Sequence, residues 1–231
     1  MTAVLIALGV ASTLGLVFGL GWYFSEHQQR LRELRGVDVT RIADAVDGEL
    51  VRIMGVIAEQ DDVLDAPLSG RACVHFDVNV LEWRSHGKSG SFVHVFSETG
   101  SRPFVVTDAS GRARIDTSHF RCAIVRDANK QSGTFNDASP EMEALLVRHG
   151  MQSTGLLGFN KSLRYEEGVL EPGERVTVLG RARWEDDPDE TARGAPGVGY
   201  RDSVRRRRLV IEASLEPVRA SDDPRVTGGD A

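Results

Sequence analysis

Two hydrophobic patterns divide the chain. Residues 3–24, AVLIALGVASTLGLVFGLGWYF, form an apolar run without a single charged side chain, whereas from about residue 48 onward apolar positions come in short alternating groups bounded by Gly, Asp and Ser. At 1.5 Å per residue, a helix over the first stretch is long enough to span a hydrocarbon core of ~30 Å. The pattern therefore predicts a transmembrane helix, with Trp22 and Tyr23 at its headgroup end and Arg30, Arg32 and Arg35 just beyond. The excess of arginine on that side predicts a single-pass inner-membrane protein with its body in the cytoplasm. No Lys or Arg precedes the run and no small-x-small site follows it, which argues against a cleaved signal peptide. Gly15 and Gly19 form a GxxxG, which permits close helix pairing and so a homo-oligomer.

After the predicted anchor (1–24), residues 25–46 read as a helical juxtamembrane stalk, with Leu31, Leu34 and Val37 three apart and Gly36 as a break. The body, 47–222, reads as mostly β, a barrel or sandwich, and 223–231 as a disordered tail. Strands are expected at about 50–58, 72–83, 91–97, 103–107, 112–116, 120–126, 175–184 and 208–213. One short helix interrupts them at 139–150, with Ser139 as N-cap, Pro140 in its first turn, Gly150 as its stop, and Met142, Leu145 and Leu146 facing the sheet. Two strands echo each other: GELVRIMGVI at 48–57 and GERVTVLGRA at 173–182 share a turn glycine, alternating apolar positions and a second glycine. That echo suits two equivalent strands of a pseudo-symmetric barrel. Between the last two strands lies a polar excursion, 185–208, acidic at one end and ending in Arg205–Arg208. If those strands form a hairpin, the opposite charges meet across its open end. The alternative role for the four arginines is contact with anionic lipid.

Composition narrows the function classes. The chain has 231 residues and a formal net charge of -6, so a nucleic-acid partner has little support. Two cysteines, Cys73 and Cys122, far apart and without a C-x-x-C, cannot build the paired zinc sites of a RING. In a cytoplasmic domain they are expected to be buried free thiols.

The stretch most suggestive of chemistry is DAPLSGRACVHFDVNV, 65–80, which sets Cys73, His75 and Asp77 at intervals of two behind Ser69. On a regular strand these three leave one face, and Val74, Phe76, Val78 and Val80 leave the other, which is the core face. Same-face neighbours stand roughly 6.5 to 7 Å apart, too far for a Cys–His hydrogen bond. The row therefore reads as an exposed or half-packed strand face. A metal held by this row would need a further ligand such as His94. Ser69 lies in a PLSG turn and lacks the G-x-S-x-G frame of a nucleophile elbow. The TDASGRARI stretch, 107–115, reads as a hairpin turning at Asp108–Gly111, and GLLGFN, 155–160, as a loop.

Several of these stretches together resemble the GIDE, or beside-a-membrane, domain of the MULAN-type membrane-anchored ubiquitin ligases and their RING-less bacterial relatives. They are APLSGRACVHFDVNV, RPFVVTDASGRARID, the block LLGFNKSLRYEEGVLEPGERVTVLGRAR at 156–183, and the closing RRLVIEASLEPVRASD, so the similarity covers about 48–222. The eukaryotic ligases continue into a second transmembrane helix and a zinc-binding RING, and this chain ends nine residues after Asp222. The resemblance implies a membrane-facing β domain that binds a protein partner beside the bilayer. No catalytic, cofactor-binding or metal-binding residue is assigned. The alternatives are a ubiquitin-transferase component whose RING is supplied by another chain, and a thiol hydrolase built on Cys73.

Overall fold

The computed structural model describes residues 26–87, 89–133, 136–154, 160–186 and 207–228. The apolar run 3–24, with Gly15 and Gly19, lies outside them, as do Arg205, Arg206 and residues 155–159, where a loop is expected. Among the described residues no helix is long and apolar enough to cross a membrane.

Strands dominate. In chain order they are β1 (Leu50–Ile57), β2 (Leu64–Asp65), β3 (Ala72–Cys73), β4 (His75–His86), β5 (Ser89–Ser101), β6 (Phe104–Thr107) and β7 (Arg112–Ile115). They continue as β8 (Phe120–Cys122), β9 (Ala128–Ser132), β10 (Leu163–Leu170), β11 (Arg175–Asp186), β12 (Arg207–Glu212) and β13 (Val218–Ser221). The helices are α1 (Glu26–Arg35), α2 (Pro140–Arg148) and α3 (Pro224–Thr227).

Five strands close on themselves. β1 pairs with β6, β6 with β7, β7 with β12 in parallel, β12 with β11, and β11 returns to β1. This ring is a small Greek-key barrel of the OB type, filled by Ile53, Val106, Ile115, Val178 and Ile211, all at or near zero exposure. β13 and β8 extend the sheet beyond β11. The long segments between the barrel strands supply a second, antiparallel sheet in the order β5-β4-β10-β9. Its one face carries Val78, Val80 and Tyr165, and α2 covers it with Met142, Leu145 and Leu146. Helix α2 starts as expected, with the Ser139 hydroxyl accepting from the Met142 amide and Pro140 in the first turn.

The echo between 48–57 and 173–182 is a local two-fold. These segments are β1 and β11, paired antiparallel with Ile53 opposite Val178, Val51 opposite Gly180 and Gly55 opposite Val176. Their hydrogen bonds match as well: Gly48 N donates to Ala182 O and Gly173 N to Ile57 O, both at 2.8 Å. Gly48 and Gly173 both adopt positive φ. Gly55 and Gly180 let a third strand approach: a Cβ on Gly55 would lie 2.3 Å from Thr107 O, and one on Gly180 2.6 Å from Ile211 Cγ2.

The segment 25–46 differs from a free stalk. Leu31 and Leu34 are 1% and 0% exposed, packed on Ala123, Leu179 and Val226. A ten-residue helix is marginal alone, and burying two leucines at about 1.5 to 3 kcal/mol each is what holds it. Arg52 ties the join: it donates to Thr177 Oγ1 at 3.0 Å, to Val37 O at 3.3 Å and to Val226 O at 2.6 Å. The expected tail also begins as structure, because Asp223 caps α3 and Val226 is buried.

The β11–β12 hairpin forms as expected. Glu185 faces Arg208 and Asp186 faces Arg207, and the Arg208 guanidinium lies 2.6 Å from Glu185 Oε1. Arg207 donates to Trp184 O.

Candidate functional site

The row Cys73, His75, Asp77 does not leave one exposed face. A bend at Val74 separates β3 from β4 and shifts the alternation. Cys73 therefore joins Phe76 and Val78 in the core under α2, while Val74 turns into the barrel core. Cys73 is fully buried, and that burial pushes its thiol up to about 11, far from the thiolate a nucleophile requires. This placement lends the hydrolase reading of Cys73 no support. His75 is also buried, with Nδ1 2.8 Å from Ser101 Oγ and its ring edge-on to Phe120, and burial lowers it to about 4. Asp77 alone reaches the surface, 3.3 Å from Arg126. Cys122 is a second buried free thiol.

Ser69 and its turn serve the fold. The buried carboxylate of Glu167 accepts from Leu68 N at 2.8 Å and Ser69 N at 3.1 Å, linking the PLSG turn to β10. Asp108 works similarly at the β6–β7 turn. Burial opposes its charge, but amides of Ile42, Ser110 and Gly111 and the Ser110 hydroxyl hold its carboxyl below the usual range. Among the described residues no group of three His, Cys, Asp or Glu side chains is arranged to hold a metal ion. His94 joins neither Cys73 nor His75; it hydrogen-bonds Ser97.

The opposite face of the second sheet is the open one. Register places Asp77 beside Thr99, Asn79 beside Ser97, Leu81 beside His94 and Trp83 beside Phe92, all facing away from α2. Where this face meets the first turn of α1 there is a groove of about 450 Å³, lined by His27, Arg30, Asp77, His94, Ser97 and Arg126 among others. Arg30 donates to Cys122 O at 2.9 Å, and His27 Nε2 lies 3.2 Å from Asp223 Oδ2, so α1 is pinned on the groove's rim. Asp223 is held well below the carboxylate range, mainly by its hydrogen bonds from Arg225.

A hydrogen-bonded row crosses the groove floor. Asn79 has its amide oxygen toward the Arg126 guanidinium and its NH2 on Ser97 Oγ at 2.5 Å, the orientation that satisfies both ends. Ser97 Oγ accepts that hydrogen bond and keeps its own proton, which it can give to His94 Nε2, 2.7 Å away, in the tautomer that leaves Nε2 unprotonated. Arg126 is also within 3.8 Å of Glu166. A hydroxyl donating to an imidazole is the beginning of a nucleophile–base pair. Among the described residues, however, no carboxylate hydrogen-bonds His94 to orient it, and both His94 and Ser97 are exposed. The arrangement suits recognition of a polar or charged group rather than bond cleavage.

Of this groove the sequence pointed to Asp77 and His94 as chemistry, and to Arg30 and Cys122 only for topology and as a buried thiol. Its other members come from β4, β5, α1 and the segment before β9, and only the pairing of β4 with β5 brings Asn79 to Ser97. No family model matches the chain, and comparison with curated proteins and with solved structures likewise gives no match.

Proposed function

We propose that this chain is a membrane-anchored binding module whose β domain recognises a protein partner beside the bilayer, with the groove at α1 and the open sheet face as the recognition surface. The observation that carries this reading is the docking of α1. The helix that follows the apolar run 3–24 within two residues is packed into the β domain through Leu31 and Leu34 and tied to it by Arg30, which donates to Cys122 O. An anchor in 3–24 would thereby hold the domain at a fixed attitude, with the groove next to the chain's entry into the membrane. The likeness of residues 48–222 to GIDE domains fits the same reading, as does the arginine excess at 30, 32 and 35, which suits a cytoplasmic domain.

Alkaline carbonate extraction of membranes tests the anchor. The full chain is expected to stay with the lipid, and a chain carrying Leu14→Arg and Leu16→Arg to appear in the soluble fraction. Release of the unaltered chain by carbonate would sink the reading.

A further inference from the structure

One stretch stands apart from the acidic balance of the chain. From Trp83 to Ser97 the sequence contains no Asp or Glu, but has Arg84, Lys88, His86 and His94, in a protein of net charge -6. It forms the distal half of the β4–β5 hairpin. Trp83 is 45% exposed and is the only aromatic among the large exposed hydrophobic side chains of the described residues. Its ring meets Phe92 edge-on, with centroids 5.2 Å apart, and the Arg164 guanidinium sits 4.0 Å over the Phe92 ring. Gly90 makes room for this, because a Cβ there would lie 2.5 Å from the Trp83 indole. Arg84 leaves the other face of the strand, paired with Glu82 at 3.2 Å, so the cation beside the exposed ring is Arg164.

An exposed indole beside a ring-stacked guanidinium is the chemistry of the bilayer interface, where a ring sits among headgroups and a guanidinium meets phosphate. The position agrees. His94, on the same hairpin, lines one groove with His27 in the first turn of α1, and the apolar run precedes that helix directly. The strands carry the hairpin end some seven residues past His94, about 20 Å at the rise of a strand.

We infer that the end of the β4–β5 hairpin is a second membrane contact. Trp83 and Phe92 seat in the interfacial layer of an anionic bilayer, and Arg164 beside them faces its lipid phosphates. This rests on residues 3–24 being the anchor, and the test separates the two. The chain has three tryptophans, Trp22 in the apolar run, Trp83 on the hairpin, and Trp184 on the barrel, where its Nε1 donates to Ala45 O. Full-length chains keeping one tryptophan each, the others changed to Phe, are reconstituted in vesicles containing phosphatidylglycerol. Lipids brominated near the headgroup or deep in the acyl chain then quench their emission.

Trp83 is expected to be quenched by the shallow bromines, and less so in vesicles of phosphatidylcholine alone, while Trp184 stays unquenched. Trp83 as silent as Trp184 while Trp22 is quenched would overturn the hairpin contact and leave the anchor standing. Equal quenching of Trp83 in both lipids would overturn it too, since the argument rests on charge. An unquenched Trp22 would instead remove the anchor. Should Trp184→Phe fail to fold, the chain keeping Trp83 and Trp184 gives the same reading by difference from one keeping Trp184 alone.

Discussion

The barrel and the second sheet are both built from paired strands, yet they treat their surfaces differently. In the barrel every strand of the five-membered ring has two neighbours, its inward positions are uniformly apolar, and glycines are placed where strands crowd. The second sheet has two free edges, β5 and β9, and one bare face whose positions are Asp77, Asn79, Ser97, His94 and Trp83. Closure pairs both sides of every strand in the five-membered ring, so the ring itself presents no bare edge. The open sheet retains both an edge and a polar face, and the features of the candidate site lie there.

Substitutions should separate the two regions by size of effect. Gly55→Ala places its Cβ against the backbone of Thr107 in the closed ring, and the strand cannot yield without opening the barrel. We expect a loss of about 3 kcal/mol in urea unfolding. Gly90→Ala meets only the Trp83 ring, which is half-exposed and free to swing, so its cost should stay below about 1 kcal/mol. Equal costs at the two glycines would break the contrast.

The seam between the regions should respond to pH. His75, at the start of β4, is lowered by burial to about 4 from an ordinary 6.5, so the unfolded chain binds its proton first. Its contribution to stability is lost as the pH falls from 6.5 to 4, by about 3 kcal/mol. Asp222, which accepts from Val125 N, is raised by burial to about 7 from 3.8. Its protonated form favours the fold, so its contribution is lost as the pH rises through that window. The two slopes oppose each other in the native chain. Asp222→Asn keeps the acceptor and removes one slope, so this variant should lose about 3 kcal/mol between pH 6.5 and 4 while the native chain stays nearly level. Urea midpoints measured across that range decide it: matching slopes in the two chains would count against the raised Asp222, and an Asp222→Asn variant that stays level would count against the buried His75.

The smallest effect belongs to the bare face. Ser97→Ala removes the centre of the row from Asn79 to His94, but all its partners reach water, and stability should change by less than about 0.5 kcal/mol. A loss comparable to that of Gly55→Ala would mean that the face is structural after all.

Much of the fold was legible in the alternation of apolar residues. The barrel strands, the helix with its Ser139 cap, the Asp108 turn and the paired charges of the β11–β12 hairpin all follow from local pattern. Four strands carried too little signal, the two-residue β2 among them. Residues 128–132, ANKQS, are a polar edge; β10 has Arg164, Glu166, Glu167 and Gly168 breaking its run; and β13 is only four residues long. Gly168 is a packing residue, since a Cβ there would lie 2.8 Å from Ile124 Cγ2 and Val125 O. The error at Cys73 and His75 has one cause, the bend at Val74, which no alternation rule foresees. Leu31 and Leu34 were recognised as an apolar stripe, but their partners Leu179 and Val226 are too distant in sequence to have been paired with them. The groove was hidden for the same reason.

The pairing of β1 with β11 also dictates an order of events. Arg52 and Thr177, joined across it, are 125 positions apart in the chain. A ribosome delivering the protein from its N-terminus releases β1 long before β11, and until then Ile53 and Val51 have no partner strand on that side. The barrel can shut only when nearly the whole chain has emerged, which makes its folding non-local and slow. The β4–β5 hairpin has no such wait and can form before the closed barrel exists, and β10 joins it once residues 163–170 have emerged, still ahead of β11 and β12.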